Sequence, residues 1–275
     1  MKTIQDACIL FRKIDDSNED VSTNGQFKIY NYITQVPKNN LVIGRYSTLP
    51  YYEEVYISLK INQSYLINSI EEHLYIANIM NWYEDLKQFT PKTYTEWGNL
   101  PENGKWIVKG KTNSRKQHWN THMFADGREK LLKVIRLLME DVMLSEQGLV
   151  IREYTPLKKL DEGINGLPIV KEWRLFYLKE NFIAGGFYWS NFYDELKDKH
   201  NLSIPNQLFK FANKVAKIVS KKTNFFVLDI AQKEDGEYIL IEINDGQQSG
   251  LSTIDPTYFY GQLNLNVGNM YFNIE

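Results

Sequence analysis

The chain has one cysteine in 275 residues, so no disulfide can form within it and a reducing cytosol is the expected home. That residue, Cys8, sits in the apolar run Ala7-Cys8-Ile9-Leu10-Phe11 and reads as a small buried side chain, not a nucleophile. Long apolar runs are also lacking. No stretch approaches the roughly 18 residues needed to span a bilayer, and the first residues carry no secretory apolar core, so neither a membrane partner nor a signal peptide is expected. Charge of one sign is scarce: 32 basic residues stand against 34 acidic ones, a net of -2. Bulk electrostatics therefore calls for neither a nucleic acid nor an anionic surface. Internal repeats and low-complexity tracts are missing too. What remains is an ordinary globular composition, 43% hydrophobic, long enough for one large or two small packed units.

Short apolar strands are expected at 7–12, 41–44 and, from its alternation, 54–59. Residues 70–89 carry helical spacing behind a Ser69 cap and end at Thr90-Pro91. A strand is expected at 106–109, a polar loop at 110–121, an amphipathic helix at 128–144 with Leu131, Leu132, Ile135, Leu138 and Val142 on one side, and a strand at 149–154. Two strands, 171–178 and 182–189, then a helix at 205–221 and a final hairpin, 224–231 and 237–244 around Asp235-Gly236, complete the chain.

The densest polar chemistry lies in that hairpin. Phe225-Phe226-Val227-Leu228-Asp229 is apolar until its carboxylate. In Tyr238-Ile239-Leu240-Ile241-Glu242-Ile243-Asn244, Glu242 and Asn244 are two apart and share a face. A carboxylate on so apolar a strand needs a counter-charge, and a hard divalent cation with oxygen ligands supplies one. An exposed polar face is the plainer reading. It fits less well, because the polar positions occur only at the strand end. Lys109 closes an apolar strand and Arg174 lies within one, as a point charge and a fork suited to phosphate. His118 and His122 are four apart, a spacing that holds metal on a helix, but a basic loop is the better reading. Arg12 and Arg45 end strands. Arg45, before Tyr46-Ser47, is a candidate for binding a carboxylate.

In this order the elements resemble the ATP-grasp superfamily: the strand ending at Lys109, the 110–121 loop, the following helix, a strand ending at Glu153, the strand bearing Arg174, then Asp229 and Glu242-Ile243-Asn244. Ile43-Gly44-Arg45-Tyr46-Ser47 and Trp106-Ile107-Val108-Lys109-Gly110 resemble its R2K group. The resemblance implies an α+β fold, two α+β subdomains clasping ATP behind a small α/β pre-grasp domain. The expected division is 1–90 for the pre-grasp domain and linker helix, 91–156 for the small subdomain and 157–275 for the large one. It implies Mg²⁺, with Mn²⁺ as an alternative, on Asp229, Glu242 and Asn244. It also implies phosphate contacts from Lys87, Lys109 and Arg174, and an adenine hinge over Arg152, Glu153, Tyr154 and Thr155 using backbone groups and the Glu153 side chain. Ser249 and Gly250, with Arg45, would hold substrate. The loop departs from the glycine-rich pattern of relatives, so Arg115 is expected to act where they use backbone amides, with Lys109 and Arg174 as the other catalytic cations.

The implied activity is a carboxylate–amine ligation through an acyl phosphate, on a small-molecule or a peptide or protein substrate. Two rivals stand beside it: a kinase-like phosphotransferase and a non-catalytic nucleotide-binding regulatory protein. A nucleic-acid ligase would need an adenylated lysine in a Lys-x-Asp-Gly run, and no convincing one is read, so no nucleic acid is expected.

Overall fold

The computed structural model describes residues 6–11, 25–45, 51–94 and 99–268. Arg12, Tyr46 and Ser47 lie outside the described residues. The chain opens with a parallel sheet of order β2-β1-β3-β4, from β1 (Asp6–Leu10), β2 (Lys28–Tyr30), β3 (Asn40–Gly44) and β4 (Tyr65–Leu66). Between β3 and β4 runs α1 (Tyr52–Ile61), where the alternation suggests a strand. Its buried residues, Tyr52 and Leu59, are seven apart, two helical turns, and that period prevails over the local alternation. Cys8 is fully buried, and burial pushes its thiol up to about 11.

The helix expected over 70–89 is two, α2 (Ile70–Ala77) and α3 (Ile79–Leu86). Ser69 and Glu72 form a reciprocal capping box on α2. Asn78 is extended (φ -114, ψ 118) and its side chain caps α3, so the asparagine both stops one helix and starts the next.

A second sheet, antiparallel and ordered β5-β8-β6-β7, comprises β5 (Thr93–Tyr94), β6 (Lys105–Gly110), β7 (Phe124–Asp126) and, later in the chain, β8 (Leu149–Glu153). The helix covering it is again broken. α4 (Arg128–Met139) is followed by α5 (Val142–Gln147), because Asp141 leaves the helix and caps α5 through Met143 and Leu144 N–H. The break re-aims the chain: Val142 is 72% exposed and Leu144 is buried, while Val134 in place of Leu132 joins the inward face.

β9 (Lys159–Glu162) and β10 (Pro168–Val170) form a small ribbon. The third sheet, β12-β11-β13-β14, is built from β11 (Glu172–Leu178), β12 (Asn181–Phe187), β13 (Phe225–Gln232) and β14 (Tyr238–Asp245). α6 (Tyr193–Leu196) and α7 (Asn206–Val219) lie between β12 and β13, and α8 (Pro256–Val267) follows β14. One face of this sheet packs on α2, α3 and α7 through Trp173, Leu175, Phe226, Leu228, Leu240 and Ile243.

The other face is divided along its length. Phe176, Leu178, Phe225 and Val227 are buried against α8 and the N-terminal sheet, in one core with Ile9, Leu41 and Phe259. Continuing along the same face by steps of two, β11 gives Arg174 and Glu172, β13 gives Asp229, and β14 gives Glu242 two residues from Asn244. The core fixes the register, since a one-residue slip would turn Asp229 into the apolar core that holds Leu228 and Ile230. The polar half is thereby fixed as well.

Candidate active site

Register aligns three charges across the sheet. Arg174 pairs with Asp229, and Asp229 with Glu242, as direct cross-strand neighbours. Arg174 Nε and Nη2 donate to Asp229 Oδ1 and Oδ2 at 2.9 and 2.8 Å, and Nη1 donates to the Gly250 carbonyl at 3.1 Å. Asn244 Nδ2 donates to Asp229 Oδ2 at 3.2 Å. From the second sheet, Lys109 of β6 forms an ion pair with Glu242. Burial would raise Glu242, but Lys109, Lys116 and Arg152 outweigh it and hold the carboxyl below its ordinary range. Burial pulls Lys109 down, with Glu242 opposing. The two sheets are therefore joined across a cleft by a compensated pair, and again by Arg152, whose Nη1 donates to the Ile241 carbonyl at 2.7 Å.

The cleft holds a cavity of about 190 Å³ lined by Lys109, Ser114, Lys116, Glu153, Tyr154, Thr155, Glu172 and Glu242. Trp119, Met123 and Ile241 supply apolar wall. A second cavity, about 600 Å³, lies beyond Lys116 and contains Arg174, Tyr188, Phe192 and Gly250. Lys116, Leu167 and Trp189 line both. The 110–121 segment is ordered by Arg115, which is paired with Asp141, and by Lys116, whose Nζ donates to Tyr188 Oη at 2.8 Å.

Several sequence-derived candidates sit differently. Lys87 is exposed at the end of α3 and paired with Glu84, so it does not line the cleft. Arg115 spends its charge on Asp141, and Lys116 lines the cleft instead. Arg45 is 1% exposed and donates to the Gly246 carbonyl at 2.6 Å and to Tyr260 Oη at 3.3 Å, tying β3 to the loop after β14 instead of facing substrate. Ser249 turns inward, its Oγ donating to the Asp245 carbonyl at 2.8 Å, whereas Gly250 reaches the larger cavity. Along the expected hinge, Glu153 N–H donates to Lys92 O and Tyr154 N–H to Lys105 O, both at 2.8 Å, so those two amides serve the sheet and not a base. Glu153 Oε1 accepts from Tyr94 Oη at 2.5 Å. His118 and His122 face each other at 5.1 Å between ring centroids, and no cluster of three or more His, Cys, Asp or Glu suited to a metal occurs among the described residues. Lys233-Glu234-Asp235-Gly236 does have the Lys-x-Asp-Gly spacing, but it is the β13–β14 turn, where Lys233 is paired with Asp235 and Glu237.

Glu172 escapes the sequence reading, although Glu172 and Arg174 are two apart on one strand, the same signal that marks Glu242 and Asn244. It is 3% exposed, and its Oε1 has no hydrogen-bond partner among the described residues. Burial is the main influence and pushes its carboxyl up to about 7, with Lys116 and Arg174 opposing and Asp229 adding. The folded chain then holds a proton that the unfolded chain has lost between about pH 4.5 and 7, so this group's contribution to stability falls as pH rises through that window, by about 3 kcal/mol in all. Glu172→Gln should remove that dependence. Melting temperatures from pH 5 to 8 should converge or cross in favour of the variant on the alkaline side, and a parallel pair of curves would contradict the assignment.

The loop after β14 is set from the N-terminal region. His73 Nδ1 lies 2.9 Å from Asp245 Oδ2, Asn68 Nδ2 donates to Asp245 Oδ1 at 3.0 Å, and Gln247 Oε1 accepts from Gly44 N–H at 3.0 Å. The His73 ring stacks on Tyr52 at 3.8 Å. None of these buried contacts is signalled by local sequence.

A family model described as an ATP-grasp domain, R2K clade family 3, matches residues 96–263, more than half of the chain. No curated protein sequence matches it significantly. Among solved structures, the fold is similar to that of the ATP-grasp ligase PsnB complexed with a minimal precursor (TM-score 0.55, 12% identity, covering 98% of this chain and 99% of that one). It is similar also to a RimK domain ATP-grasp protein from Sphaerobacter thermophilus (TM-score 0.54, 9% identity, 94% and 98% covered). D-alanine--D-alanine ligase from Bacillus anthracis complexed with ATP gives TM-score 0.55 at 13% identity, with 96% and 98% covered. At these identities the likeness is one of fold.

Proposed function

This chain belongs to the R2K clade family 3 of ATP-grasp domains, and from that premise we propose that it is an ATP-dependent, ADP-forming carboxylate–amine ligase. The observation that carries the reading is the row Arg174–Asp229–Glu242 with Lys109 opposite it: Lys109 and Glu242 line the smaller cavity, Arg174 lines the larger, and the buried Asp229 lies between them on the sheet. Nucleotide would occupy the smaller cavity, its base against Trp119, Met123, Tyr154 and Ile241 and its phosphates toward Lys109 and Lys116. The donor set fits Mg²⁺, which takes one or two carboxylates and leaves the remaining positions to water and phosphate. Asp229, Glu242 and Asn244 would hold it, each carboxylate exchanging its present cation partner in part for the ion. When bound, the ion neutralises charge on the transferring phosphoryl group.

The substrate carboxylate attacks the γ-phosphorus, the β–γ phosphate P–O bond breaks, and ADP leaves with an acyl phosphate formed. An amine then attacks the acyl carbon, the C–O bond to phosphate breaks, and inorganic phosphate and a proton depart. Lys109, Lys116 and Arg174 orient and neutralise the phosphoryl oxygens, and the 110–121 segment, held down by Lys116 on Tyr188, keeps water from the acyl phosphate. The precursor peptide complexed with PsnB and the D-alanine in the name of the other ligase support an amino-acid or peptide substrate.

The test is a screen of amino acids and short peptides with ATP and Mg²⁺, reading ADP and inorganic phosphate together. Equal release of both, requiring an acid and an amine, is expected. ADP with the phosphate retained on the product would make it a phosphotransferase, and nucleotide binding without ADP formation would make it a regulatory binder.

A further inference from the structure

The larger cavity differs chemically from the cleft beside it. Among the described residues that line it, the only charges are Lys116 and Arg174, and no carboxylate does. Its aromatic and apolar wall is Tyr188, Trp189, Phe192, Leu167 and Ile164, and the neutral polar Gln117, Ser190, Asn191 and Ser252 complete the lining. At about 600 Å³ it has the size of a site for a ligand larger than a free amino acid. Arg174 uses three of its five N–H groups on Asp229 and Gly250, and Lys116 gives one to Tyr188 Oη, so both cations keep donors for a further anion. Both stand over the Tyr188 ring, at 4.8 and 4.3 Å, which fixes their heads at one wall. The Trp189 ring lies on the partition between the two cavities, 5.3 Å from Lys116 Nζ, and its Nε1–H is buried with no acceptor among the described residues. A buried indole donor without a partner is costly unless a ligand supplies an oxygen.

We propose that this cavity receives the acid substrate, and that the acid is one whose carboxylate is flanked by a bulky apolar or aromatic group: the carboxylate lies at Lys116, Arg174 and Trp189 Nε1, and the apolar body against Tyr188, Phe192 and Ile164. The inference rests on the ligase reading. It adds that the ammonium form of the amine is excluded here, because two cations and no acid face it, so the amine approaches as a second component once the acid is seated. Trp189 and Lys116, shared by both cavities, bring the carboxylate to the nucleotide side.

Calorimetry on the full chain with Mg²⁺ and a non-hydrolysable ATP analogue tests it, using hydrocinnamate, propionate, hydrocinnamyl alcohol and phenylpropylamine as probes. Hydrocinnamate should bind about ten-fold or more tighter than propionate, which lacks the ring. It should also bind about ten-fold tighter than the alcohol, which lacks the charge, and the amine should not bind. Phe192→Ala, or Phe192→Leu if the alanine variant is unstable, should erase the advantage over propionate while leaving analogue binding unchanged. Trp189→Phe, which removes the N–H and keeps an aromatic ring, should reduce the advantage over the alcohol. Equal binding of all four probes, preference for the amine, or indifference to both variants would overturn the inference with nucleotide binding intact. Failure to bind the ATP analogue would instead sink the ligase reading itself.

Discussion

Replacing Glu242 by Gln is expected to lower ATP consumption by about a thousand-fold or more, the scale of losing charge aimed at a transferring phosphoryl group. It is also expected to destabilise the fold. Lys109 is buried and Glu242 is its ion-pair partner, so the variant leaves a cation uncompensated between the two sheets. Breaking one side of a buried pair costs about 3 kcal/mol, and burial already pulls Lys109 toward its neutral form, which limits the loss by deprotonation. The two effects separate in a double variant. Lys109→Met with Glu242→Gln should recover most of the melting temperature and none of the turnover. Near-normal ATP consumption in Glu242→Gln, measured as ADP formed, would reject the assigned role.

Arg174→Lys is the second large effect. Lysine preserves the charge but not the fork. Arg174 makes two parallel bonds to Asp229 and a third to the Gly250 carbonyl, which together set the carboxylate and the loop in one geometry. A single ammonium cannot hold all three, so Asp229 is released to rotate and Gly250 loses its tether. Turnover should fall by about a hundred-fold or more, comparable to removing one preorganised donor. Stability should change far less than in Glu242→Gln, because a cation still faces Asp229. A variant with wild-type kcat for ADP formation would place Arg174 among structural pairs only.

Much of this site is legible in the sequence because it lies on strands whose apolar residues fix register. Asp229, Glu242, Asn244, Lys109 and Arg174 each interrupt an apolar run, and period-two alternation then assigns them a face. Glu172 obeys the same rule and is legible in principle. What sequence reasoning misplaces shares a different cause. Lys87 and Arg115 are plausible cations whose fate depends on a partner, Glu84 in one case and Asp141 in the other. Arg45 points into the interior because Gly246 and Tyr260, about two hundred residues away, offer acceptors. The broken helices at Asn78 and Asp141 are hidden by continuous amphipathic spacing, although both breaking residues are strong N-caps. The aromatic wall of Tyr188, Trp189 and Phe192 follows a strand and reads locally as ordinary packing. The approach of Lys116 and Arg174 to it, from a distant loop and from the neighbouring strand, is set by the fold.

In the proposed reaction a divalent ion and the nucleotide phosphates meet at the polar end of the third sheet. Anomalous diffraction from a crystal grown with Mn²⁺ and a non-hydrolysable ATP analogue locates the ion directly. A peak bridging the phosphates and the oxygens of Asp229, Glu242 and Asn244 is predicted. Phosphates bound with the ion held elsewhere, or Arg174–Asp229 and Lys109–Glu242 unchanged with no ion beside them, would contradict it.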